Sequence, residues 1–133
     1  MNDPATQVAN PATLPVLDAA LAEWTAGRYY EAHELLEEVL EPLDEADPSY
    51  RSTMALVHLA ACFHKLSANV APRAVPAKMA HALEALQDTP ADWWGLNLGA
   101  FRDECTTLLA QLGGVEVGGP VPAGLSYPIL SRR

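Results

Sequence analysis

The stretch from Asp47 to Asn69 constrains this chain more than any other. Asp47-Pro48 combines an N-cap residue with proline at the first helical position, and Asn69 tolerates the left-handed backbone that closes a helix. Between them the spacing predicts one long helix running to Ala68. Nearly every residue from Met54 to Phe63 is apolar. The polar residues Arg51, His58 and Lys65 fall along a single heptad-spaced stripe at ~100° per residue. A helix that is apolar over most of its circumference must be covered on several sides and shows water only a narrow strip. His64, off that strip and in line with Val57, Ala60, Ala61 and Ala68, is expected to be substantially buried.

The covering helices are legible. Val16 to Ala26 places Leu17, Leu21 and Trp24 on one face and stops at Gly27, and Arg28 to about Glu41 forms a second helix ended by Pro42. Pro76 opens an alanine-rich helix to Gln87, Thr89-Pro90-Ala91-Asp92 starts a turn carrying Trp93 and Trp94, and Asn97 caps a last helix that closes at Gly113-Gly114. No strand pattern competes. The fold class expected is all-α: a single small domain, an irregular array or bundle of about five helices, with extended N- and C-terminal segments. Residues 1–13 read as irregular, 14–112 as the helical domain, and 113–133 as a Gly/Pro-rich tail. Apolar alternation at Leu125, Tyr127, Ile129 and Leu130 suits a tail that lies across the body.

Composition narrows the function classes. With 133 residues, half of them hydrophobic, the chain suits one core and needs neither disulfide nor structural metal to fold. Seventeen acidic against eight basic residues, a formal charge of −9, argue against nucleic acid and against an anionic membrane surface as partners. The longest apolar stretch, Met54 to Leu66, is interrupted by two histidines and falls short of the ~20 residues a membrane span requires. The opening Met-Asn-Asp-Pro lacks the basic and apolar regions of a signal peptide. Cys62 and Cys105 then read as free thiols in a reducing compartment, so the expected location is cytoplasmic. There is no nucleotide or flavin motif.

The second helix holds the chemistry. Tyr29, Ala32, Leu36, Val39 and Leu40 mark its buried stripe, and Glu31, Glu34, Glu38, Glu41 and Glu45 an acidic face opposite. His33 and Glu37 stand at i and i+4 on the border, where their side chains can meet. One reading is a His–Glu hydrogen bond at the edge of the core. The other is a divalent-metal site for Zn, Ni, Fe or Mn, since imidazole and carboxylate at this spacing can share an ion. A third ligand is needed, and His64 on the next helix is the first choice. His58 and Glu34 are weaker candidates, Glu34 as a group that orients His33. If the ion supports catalysis, hydrolysis or hydration is the expected class; the substrate is not legible. His81, three residues before Glu84, reads as half of a surface pair.

Gly27-Arg28-Tyr29-Tyr30-Glu31-Ala32-His33-Glu34-Leu35-Leu36-Glu37, followed by Ala60-Ala61-Cys62-Phe63-His64 and Asn69, resembles a bacterial and archaeal helical family catalogued as domain of unknown function 309. Its signature is His-x-x-x-Glu-x-x-Trp/Tyr, and metal binding has been proposed for it without an assigned reaction. The resemblance spans roughly Trp24 to Leu86 and implies a small helical array with His33 and Glu37 as signature residues and His64 as the later histidine. The signature aromatic falls on Leu40 here, and Ala68 and Pro76 also depart from the pattern.

A competing reading is a metal-free, tetratricopeptide-like interaction module. Gly-x-Tyr-x-Glu-Ala followed by Leu-Leu suits such a unit, although no ~34-residue recurrence supports it. The run from Glu31 to Asp47, with eight carboxylates and no Lys or Arg, would be the docking face for a basic protein partner. An exposed indole at Trp93 or Trp94 would mark a homodimer face.

Overall fold

The computed structural model describes residues 14–133; the N-terminal segment 1–13 lies outside the described residues. Five helices follow one another: α1 (Leu14–Thr25), α2 (Tyr29–Leu40), α3 (Pro48–Ala68), α4 (Val75–Leu86) and α5 (Leu98–Ala110). Short 3-10 turns at Pro72–Ala74 and Trp93–Gly95 precede α4 and α5. The described residues form no strand, only one isolated antiparallel bridge between Leu96 and Arg132. None of the described helices is long and apolar enough to cross a membrane.

The helix ends follow from local chemistry. Gly27 takes φ +77°, its N–H reaches the Trp24 carbonyl at 3.0 Å, and Arg28 N–H reaches Glu23 at 2.9 Å. Both bonds satisfy carbonyls the helix leaves orphaned, and glycine adopts the required turn without a Cβ penalty. The Asp47 side chain accepts from Ser49 N–H at 2.8 Å and caps α3, while Asn69 closes it in the left-handed region with φ 54°. These are the bounds the sequence predicts. α4 begins at Val75, one residue before the expected Pro76, because the preceding 3-10 turn leads directly into it.

α1 packs on α2, α2 on α3 and α3 on α4, with a lighter contact from α4 to α5. α3 sits in the middle and buries Leu56, Leu59, Ala60, Cys62, Phe63 and Leu66. Around Phe63 the ring centroids of Trp24 and Tyr127 lie 5.4 and 5.5 Å away, and Phe101 closes the group 5.4 Å from Trp24. The two Trp24 pairs are edge-on, a geometry that suits the ring quadrupoles and contributes beyond buried area alone.

The tail lies across the body, as its apolar alternation suggests. Val115 and Leu130 are buried, and Tyr127 is packed against the core. Its end is fixed by Asn97 N–H to the Ser131 carbonyl and Arg133 N–H to the Gly95 carbonyl, each 2.9 Å. The Arg132 guanidinium adds an ion pair to Asp18 of α1 at 2.7 Å.

Trp93 and Trp94 are buried and stacked, centroids 4.1 Å apart, so they provide no indole surface for a homodimer. Cys62 and Cys105 are buried free thiols. Burial holds the Cys62 thiol up at about 11 and pushes Cys105 higher still.

Candidate functional site

α2 buries Ala32, Leu36 and Val39 against α1 and α3 and turns Glu31, Glu34 and Glu38 to solvent, with its C-cap residue Glu41 also exposed. His33 lies on the border between those faces. Its Nε2 stands 3.0 Å from Glu37 Oε1, the i,i+4 meeting that the spacing predicts. The imidazole is 22 % exposed and the carboxylate 55 %. Glu37 therefore faces water and needs no cation to offset burial.

Tyr30 is the residue that sequence reasoning passed over at this site. Half exposed at 49 %, its ring centroid lies 5.7 Å from that of His33 and 5.4 Å from that of His64. The phenol ring bridges the two imidazoles across the α2–α3 seam. The signal was present, since Tyr30 precedes His33 by three residues and so shares its helical face. His64 is partly buried, because it sits at that seam.

A divalent ion needs more donors than this one pair supplies. His33 Nε2 and Glu37 Oε1 are close enough to share one. The third donor does not join them: among the described residues, no three His, Cys, Asp or Glu side chains form a group able to hold a metal. His33 Nδ1 is buried without a hydrogen-bond partner. An ion on Nε2 would put the remaining ring proton on Nδ1, where metal-bound histidines ordinarily find an acceptor. The residues thus fit a metal centre only in part.

The weaker candidates lie apart. Glu34 is exposed and makes no side-chain hydrogen bond among the described residues, so it does not orient His33. His58 is exposed, as its place on the polar stripe predicts. It faces α4, where it lines a groove with Lys78 and His81. Partial loss of water where the ring leans on that wall, then the positive charge of Lys78, His81 and His33, lowers its pKa below the ordinary histidine value. The expected pair between His81 and Glu84 does not form among the described residues.

Comparison with protein-family models, with curated proteins and with solved structures returns no match in any of the three. The site is read from its own chemistry.

Proposed function

We propose that this chain is a helical interaction module whose acidic α2 face docks a basic protein segment, with Tyr30, His33 and Glu37 at its centre. The observation that carries the reading is the concentration of acidic charge. Eight carboxylates lie between Glu31 and Asp47 with no Lys or Arg among them, and Glu31, Glu34, Glu37, Glu38 and Glu41 are exposed on one helix. Tyr30 adds a half-exposed aromatic ring, a surface on which a Lys or Arg side chain can lie while the neighbouring carboxylates meet its charge. Packing of α1 to α4 on successive neighbours supports the reading, since repeat-type helical proteins use that arrangement to present a binding face.

The test is a titration of the full chain with an arginine- and lysine-rich peptide at low and high salt. Saturable binding that weakens with salt and is lost on reversing charge in Glu34→Lys and Glu38→Lys supports the module. Binding that ignores both reversals, or no binding at low salt, removes it.

A second reading is favoured by the 3.0 Å separation of His33 and Glu37: a divalent ion held by that pair, with water filling the other positions. Because the donor set is incomplete, no reaction is derived from it. Equilibrium dialysis against Zn²⁺ or Ni²⁺ of untagged protein decides the matter. Stoichiometric metal lost in both His33→Ala and Glu37→Ala favours the ion, and uptake unchanged by either variant removes it.

A further inference from the structure

The polar stripe of α3 does not simply face water. Arg51 and His58 stand along one wall of a groove whose other wall is α4, with Lys78 and His81. Two adjoining cavities, of about 180 and 300 Å³, share His58 and His81. Met54, Ala55, Ala82 and Ala85 give the first an apolar floor.

The groove inverts the charge of the molecule. In a chain with 17 acidic and 8 basic residues, no carboxylate lines either cavity. Neither Arg51 nor Lys78 takes part in an ion pair among the described residues, and neither His58 nor His81 is paired with an acid. Two imidazoles thus line both cavities, with Lys78 beside them in one and Arg51 in the other, and no carboxylate lines either. We propose that the α3–α4 groove is a binding site for a small oxyanion-bearing ligand, its phosphate or carboxylate group held by His58, Lys78 and His81 and its apolar body resting on Met54 and Ala82 in the cavity that Arg51 also lines.

The alternative occupant of a two-histidine site, a divalent cation, is disfavoured by the same residues. It would sit beside Lys78 or Arg51, according to the cavity, with no carboxylate in the lining to offset that charge. An oxyanion gains instead, since the cationic side chain attracts it and imidazole N–H groups donate to its oxygens. The apolar floor gives such a ligand a reason to prefer this groove to other exposed basic residues.

The experiment follows the histidine ring signals of the full chain by ¹H–¹³C NMR during titration with inorganic phosphate, ionic strength held constant with chloride. The expected result is a saturable shift of the His58 and His81 signals, with His33 and His64 unmoved. Lys78→Ala should weaken that binding roughly two- to five-fold, the worth of one solvent-screened charge contact. His81→Ala should weaken it similarly. Because Lys78 and His81 are exposed, both variants should keep the parent's thermal midpoint. Acetate moving the same two signals identifies a carboxylate ligand, and phosphate alone moving them identifies a phosphorylated one; either supports the site. Equal shifts of all four histidines, shifts matched by chloride, or an affinity unchanged in both variants overturns it. So does tight saturation of His58 and His81 by Zn²⁺ with no response to phosphate or acetate.

Discussion

The indole N–H of Trp24 donates to the carbonyl oxygen of Pro128 at 2.9 Å, joining α1 to the C-terminal tail across 104 residues of sequence. Trp24 is also the hub of the aromatic cluster, edge-on to Phe63, Phe101 and Tyr29. The tail therefore closes the core that the helices build, rather than trailing from it. Leu130, fully buried two residues further on, completes the closure.

Removing either contact should lower stability measurably. Leu130→Ala is expected to cost about 2–4 kcal/mol, the usual range for deleting a fully buried leucine side chain. Trp24→Phe keeps a ring but leaves the Pro128 carbonyl without its donor, at a cost of about 1–3 kcal/mol. Urea denaturation followed by circular dichroism checks both. Losses below about 0.5 kcal/mol in each would mean the tail is dispensable.

Helix bounds were legible wherever a cap and its helix are neighbours in sequence. Asp47-Pro48 and Asn69 delimit α3 as expected because a cap is satisfied by backbone groups within a few residues. The His33–Glu37 meeting was legible for the same reason, being one helical turn of geometry. What was hidden depends on how helices sit against one another. The Tyr30 ring between two imidazoles, the place of His64 at the α2–α3 seam and the facing of His81 toward His58 all arise across helix pairs. His81 left its predicted partner Glu84 because it lies on the groove side of α4.

The groove also carries a pH dependence. Folding lowers the pKa of His58 below the ordinary 6.5, first through burial and then through Lys78 and His81 on α4 and His33 on α2. In the window between the folded value and 6.5 the unfolded chain binds more protons, so stability rises with pH there. The contribution of neutral His58 is complete above 6.5 and is lost as pH falls toward the folded value. His58→Gln should show a smaller drop in urea midpoint between pH 7.5 and pH 5.5 than the parent chain. An equal drop in both would place the acid sensitivity elsewhere, in carboxylates.

Neither thiol should react while the chain is folded. Burial holds Cys62 at about 11 and Cys105 higher, so at pH 8 only about one Cys62 in a thousand is thiolate, the reactive form. Access is blocked as well, since both lie within the helical core. An aromatic disulfide reagent is expected to release no colour from native protein and two equivalents after urea unfolding. Rapid stoichiometric release from the native state would show that α3 or α5 opens locally.

Asn97 offers the sharpest separation between two roles for one residue. It occupies the position before α5 where a helix cap belongs, yet its side chain makes no capping bond to the helix. Its Nδ2 instead donates to the Ile129 carbonyl at 3.0 Å, and its Oδ1 accepts from Ser131 N–H at 2.9 Å. Both bonds tie down the tail, and using both faces of one amide requires the donor and acceptor together. A capping residue can be exchanged for serine or aspartate with little loss, because each supplies the oxygen that a helix N-terminus needs. A clamp cannot: Asn97→Ser is too short to span both contacts, and Asn97→Asp replaces the donor with a second acceptor facing a carbonyl. Both variants, like Asn97→Ala, should therefore cost about 1–3 kcal/mol. Each should also raise amide hydrogen exchange at Ser131 while leaving the first turn of α5 protected. Recovery of full stability by Asn97→Ser or Asn97→Asp would return the residue to the ordinary role of a cap.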